Sequence, residues 1–159
     1  MRRALVVAGL VVVLAVPNAL IVEKERLLAR GTTVLLELAP VDPRSLIQGD
    51  YMRLDYAITR QLADSQAQWP HSGRIIVALD ADSVARFVRR DDGRTPLGRG
   101  EHVLTYRRRS GRIRVGTDAF HFQEGRVSRY QGARYGELRL APSGTSVLVG
   151  LRDTARKAM

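Results

Sequence analysis

The chain has 159 residues, enough for one ordinary domain, and its 45% hydrophobic content fits a packed core rather than a disordered polymer. It has no cysteine, which excludes a disulfide scaffold, a thiol nucleophile, thiolate metal sites and an acylated lipoprotein cysteine. The net charge is +10; five basic and two acidic residues lie within the first thirty, so the remainder still carries +7, an excess suited to anionic head groups or acidic polymers as well as to arginine-solvated faces.

Ala4 to Val22 is a run of nineteen residues without a charged side chain. As a helix it spans about 28 Å, close to one hydrocarbon core. Arg2 and Arg3 precede it, while Glu23, Lys24, Glu25 and Arg26 nearly cancel behind it. The positive-inside rule then keeps the N-terminus in the cytoplasm and exports the rest. Pro17 and Asn18 fall late in the run, where a membrane helix tolerates a kink. A cleaved signal peptide needs small residues at positions −3 and −1, and Ala15-Val16-Pro17 puts proline at one of them, so an uncleaved anchor is expected. Glu23 to Arg30 continues the helix, and Gly31 is placed to stop it.

Beyond Gly31 the pattern turns to strands. Thr32 to Leu38 is β-branched and apolar. Pro40-Val41-Asp42-Pro43 breaks it, with Asp42 placed to cap one helical turn from Pro43. Gly49-Asp50 marks a turn. From Tyr51 the chain alternates, with Tyr51, Arg53 and Asp55 on one side and Met52, Leu54, Tyr56 and Ile58 on the other, which predicts a half-buried strand. Gly73 to Leu79 is a strand. Val84 to Arg90 fits a helix by Val84, Phe87 and Val88, or a strand by Val84, Arg86 and Val88; a hairpin turning at Asp80 to Ser83 is favoured. Asp91 to Gly100 is a loop by composition. Val103 to Arg109, Ser110-Gly111 and Arg112 to Val115 form a hairpin. Ala119 to Gln123 is a strand with Phe120 and Phe122 opposite His121. A short helix fits within Gly125 to Arg134, and Tyr135 to Leu140 and Ser146 to Leu151 close as a last hairpin. About eight short strands with regular turns predict a mainly β fold. The expected architecture is a transmembrane helix (1–30), a small antiparallel curled-sheet or barrel-like domain with one or two short helices (31–152), and a tail (153–159).

The stretch Gly49-Asp50-Tyr51-Met52-Arg53-Leu54-Asp55-Tyr56 carries Gly-Asp-Tyr-x-x-Leu-x-Tyr. Together with Phe120-His121-Phe122-Gln123-Glu124-Gly125, Tyr135-Gly136-Glu137-Leu138 and Val147 to Leu151, it resembles the GDYXXLXY family of bacterial membrane-anchored proteins. The resemblance implies a location, an inner-membrane tether with an extracytoplasmic domain, and implies no reaction. The motif also has a purely structural reading: Gly49 permits the turn, Asp50 pins it, and Leu54 and Tyr56 enter the core. Its functional reading is a groove lined by Arg44, Asp50, Tyr51, Gln123 and Glu124.

Enzyme readings find little support. A Pro-x-x-x-x-Gly-Asp approach to a strand resembles membrane signal peptidases, but Val41 stands at the nucleophile's position. Neither Lys24 nor Lys157 suits as an internal base, and arginine does not deprotonate. His71, His102 and His121 have no ligand-like spacing, so no metal and no cofactor is expected. The clearest electrostatic feature is Arg107, Arg108, Arg109, Arg112 and Arg114 in one hairpin, which could meet an anionic lipid or envelope polymer. An exported domain makes nucleic acid a poor partner. The leading expectation is a non-enzymatic module in an inner-membrane assembly, its anchor packed on an integral-membrane partner. The alternatives are an envelope hydrolase using carboxylates near Asp50 and Glu124, and an anionic-surface binder.

Overall fold

The computed structural model of the protein describes residues 2–39, 47–48, 51–65 and 68–159. Its first element, α1 (Arg2–Arg30), runs through Pro17, beside which the Asn18 side chain donates to the Leu14 carbonyl at 2.7 Å. The helix ends as expected at Gly31, whose N–H donates to the Leu27 carbonyl at 2.8 Å. A Cβ at residue 31 would lie 2.5 Å from that carbonyl oxygen, so glycine is required by close approach. The last turn buries Leu27 and meets the β domain, while Leu10, Val11, Val13, Leu14, Val16, Leu20, Ile21 and Val22 remain exposed. Among the described residues no helix is long and apolar enough to cross a membrane.

The rest is mainly β, its antiparallel strands curled into a half-barrel. The strands are β1 (Thr32–Glu37), β2 (Ile47–Gln48), β3 (Tyr51–Arg53), β4 (Ser72–Leu79), β5 (Ala85–Arg90), β6 (Glu101–Arg109), β7 (Arg112–Val115), β8 (Ala119–His121), β9 (Tyr135–Leu140) and β10 (Ser146–Arg152). Among the described residues two helices interrupt them, α2 (Ala57–Asp64) and α3 (Val127–Tyr130). Three sheets form among the described residues, in the orders β1-β9-β10, β2-β3-β8 and β5-β4-β6-β7. Backbone bonds stitch them together: Leu35 N–H to the Ser83 carbonyl, Ala39 N–H to the Asp55 carbonyl, Leu54 N–H to the Asp118 carbonyl and Thr105 N–H to the Gly144 carbonyl. One core runs through all three, including Leu36, Leu54, Tyr56, Leu62, Ile75, Val77, Leu104, Tyr106, Leu138 and Leu151.

Two sequence expectations need correction. The strand expected from Tyr51 to Ile58 stops at Arg53, and α2 starts at Ala57. Burial nonetheless alternates to Ile58, because Leu54 and Tyr56 point inward from extended backbone before Ile58 and Leu62 do so from the helix. Second, the strand and hairpin favoured for Val84 to Arg90 form, but the alternation of Val84, Arg86 and Val88 does not run through β5. The β4–β5 register shifts between Ile76 and Val77, leaving Val88 as the extra, exposed residue and turning Phe87 onto the core. The one-turn helix expected at Pro43 lies outside the described residues. The tail after Arg152 folds back, with Arg152 bridged to Ala158 and Met159 packed against the core.

Candidate functional site

Antiparallel pairing of β3 with β8 joins the two parts of the sequence that carry the family resemblance. Tyr51 lies opposite His121 with ring centroids 5.7 Å apart, and Met52 and Arg53 face Phe120 and Ala119. The chain leaving His121 exits the pair at the end where Tyr51 enters it. Gln123 and Glu124 follow there, both exposed, and the Gln123 carbonyl accepts from Arg126 N–H to close a turn. Of the expected groove, Tyr51 lies in this sheet, and Gln123 and Glu124 follow β8 in the segment that leaves its end. Arg44 and Asp50 lie outside the described residues. Behind this ladder Phe120, Phe122 and Tyr130 stack as a cluster, with centroids 5.1 Å apart between Tyr130 and each phenylalanine. No group of three metal-ligating side chains occurs among the described residues.

The arginine hairpin divides by face. Ser110 and Gly111 both take positive φ, 51° and 77°, the geometry of a tight two-residue turn that matches strand twist. The register places Arg107 opposite Arg114 and Arg109 opposite Arg112. Directly opposed residues share a sheet face, so four arginines crowd one surface, although like charges so placed are destabilising. Arg108 leaves this group: it pairs with Ile113, and its guanidinium donates to the Trp69 carbonyl at 3.0 Å. Its role is to tie β6 to the segment before β4. Among the described residues Arg107, Arg109 and Arg112 make no ion pair, whereas Arg114 is paired with Asp118.

A cavity of about 400 Å³ opens beside β7, between that strand, α2 and the segment running on from β3. Its apolar wall is Leu54, Tyr56, Ile113 and Val115; its polar wall is Arg53, Asp55, Arg60, Arg112, Arg114 and Asp118. Both carboxylates are engaged. Asp55 accepts from Arg60 Nε at 3.0 Å and from Thr59 Oγ1 at 3.3 Å, and Asp118 is held by Arg114. The phenol of Tyr56 donates to the Thr117 carbonyl at 3.2 Å, and burial pushes its pKa well above the ordinary tyrosine value. Four guanidiniums against two carboxylates leave the cavity electropositive.

Sequence reading singled out Arg112 and Arg114 but not Arg53, Asp55, Arg60 or Asp118. The outward phase of the motif strand was the available signal, since Arg53 and Asp55 alternate with core residues. The GDYXXLXY protein family model matches residues 13–151, most of the chain. No curated protein and no solved structure matches it.

Proposed function

The chain belongs to the GDYXXLXY family, and from that premise we propose that it is a membrane-tethered, non-enzymatic binding module. In this reading α1 crosses a bacterial inner membrane with its N-terminus in the cytoplasm, and the β domain stands outside. The observation that carries it is the uncovered apolar surface of α1: eight large hydrophobic side chains from Leu10 to Val22 are exposed, and among the described side chains of the helix only Leu27, in its last turn, is buried. Such a surface is unfavourable in water and favourable in hydrocarbon. The full uncharged run begins at Ala4. The same surface supports packing against an integral-membrane partner.

The test is topological. A periplasm-active phosphatase fused after Arg30 should be active, and the full chain should stay with membranes through alkaline carbonate extraction. Activity only of a cytosolic reporter at that position, or release by carbonate, refutes the tether. Recovery of the chain alone from crosslinked native membranes removes the partner.

A second reading has its own support: the cross-strand arginine pairs of β6 and β7 suit contact with an anionic lipid or polymer, which would relieve their repulsion. Substituting Arg107 and Arg109 should then lower affinity for anionic vesicles.

A further inference from the structure

The geometry points to the cavity between β7, α2 and the segment after β3 as a discrete binding site for a phosphoryl group. It deepens the anionic-contact reading but shares only Arg112 and Arg114 with that hairpin face, so the two can fail separately.

Shape and charge argue together. A cavity of about 400 Å³ lies within the range of small-molecule sites and is far too large for one ion pair. Its carboxylates would repel an anion, but each is already matched: Asp55 by Arg60 and Asp118 by Arg114. What remains is Arg53 on β3 and Arg112 on β7, exposed and without an ion pair among the described residues. They come from different sheets, and nothing in the local folding of either strand brings them to one cavity; the shared core does. Two guanidinium forks supplied from separate walls suit a tetrahedral phosphoryl group, whose three oxygens can accept from both, better than a planar carboxylate with one edge. Leu54, Tyr56, Ile113 and Val115 would receive the apolar part of the ligand. The paired Arg60 and Arg114 hold the field without needing to move. The phosphoryl group has two sources, a free phosphate monoester or the head group of an anionic phospholipid.

The experiment uses the full chain in mild-detergent micelles. Inorganic phosphate and glycerol 3-phosphate are titrated calorimetrically with succinate as the carboxylate comparator, and phosphatidylglycerol vesicles are tested by co-flotation. Saturable binding of a phosphate probe is expected, weaker for succinate, with Arg53→Gln and Arg112→Gln each lowering affinity about tenfold or more. Arg94→Gln and Arg99→Gln, on the exposed loop between β5 and β6 and away from the cavity lining, should leave it within about twofold. Vesicle binding that depends on Arg53 and Arg112, without binding of the soluble probes, supports the same site with a lipid as the source. Unchanged emission from Trp69 in each variant shows that folding is intact. The site is refuted if neither soluble nor vesicular phosphate binds, if succinate binds as well as phosphate, or if the Arg94 and Arg99 variants lose as much as those at Arg53 and Arg112.

Discussion

Gly73 lies directly opposite Tyr106 in the β4–β6 ladder, and a Cβ at that position would stand 2.6 Å from the Tyr106 hydroxyl and 2.8 Å from ring carbons Cε1 and Cζ. Ordinary contact needs close to 3.5 Å, so Gly73→Ala forces the ring to retreat by most of an ångström. It has nowhere to go: Tyr106 is fully buried, and Trp69 backs it edge-on with centroids 5.3 Å apart. Overpacking of this kind costs about 1–3 kcal/mol. For a domain of this size that corresponds to a fall in Tm of roughly 4–12 °C. The only tryptophan in the chain is Trp69, so its emission reports the site in urea unfolding of the full chain in detergent. Gly73→Ala should lower the midpoint and shift native-state emission. In a Tyr106→Leu background the added methyl has room, and its cost should drop below about 0.5 kcal/mol. A loss under about 0.5 kcal/mol in the wild-type background, with unaltered emission, would refute the claim that only glycine fits against this ring.

Other substitutions probe different forces. The Tyr106 hydroxyl is buried without a hydrogen-bond partner among the described residues, so Tyr106→Phe should be neutral or stabilising by up to about 1 kcal/mol; a loss greater than that in the same urea assay contradicts the packing account. Burial raises the pKa of Tyr56, so the folded state retains a phenolic proton that unfolded chains release above about pH 10. Stability should therefore fall as pH rises past that point, and Tyr56→Phe should flatten the decline in a pH series of melting curves. Glu101 is held below its ordinary value by a two-oxygen contact from Arg89, 2.7 Å to each oxygen, and by Gly98 N–H. Its contribution is present above the ordinary carboxylate pKa and is lost as pH falls through the depressed one, so Glu101→Gln should weaken the protein at neutral pH and blunt its acid sensitivity in circular dichroism. Glu137 is buried and accepts from Arg152 Nε at 2.8 Å across β9 and β10; Glu137→Ala should cost about 1–3 kcal/mol, measured by urea midpoint, because the arginine loses its partner while partly shielded from water.

Most strands were legible because their signals are local. The hairpin turns at Asp80 to Ser83 and at Ser110-Gly111, the stop at Gly31 and the inward phase of Leu54 and Tyr56 all follow from neighbours in sequence. Helix α2 was not legible for a specific reason. Its N-cap residue is Tyr56, which makes no side-chain capping bond, and Ile58 extends the period-two pattern of the preceding strand before Leu62 reveals a period near four. The nearby Asp55, one residue early, bonds Thr59 and Arg60 instead. The β5 phase failed because a bulge adds a residue that no periodicity anticipates. The cavity was half legible: a run of arginines announces Arg112 and Arg114, but their companions Arg53 and Asp55 arrive through tertiary packing of α2 on β7. Residues 153–159 were expected only as a tail, yet Asp153 N–H donates to the Lys157 carbonyl, Lys157 N–H donates to the Asp153 carboxylate, and Met159 returns to the core.

Between the last helical residue, Arg30, and the first strand residue, Thr32, stands only Gly31, bonded through its N–H to Leu27 and through its carbonyl to Arg139. A connector of one residue has no slack. The β domain cannot sweep out a search volume as it would on a Gly-Ser stalk; its heading is fixed by the direction of the helix. Whatever binds it must come to it, and two such chains held side by side by their helices would present their cavities at a set spacing, with an effective concentration decided by helix packing alone.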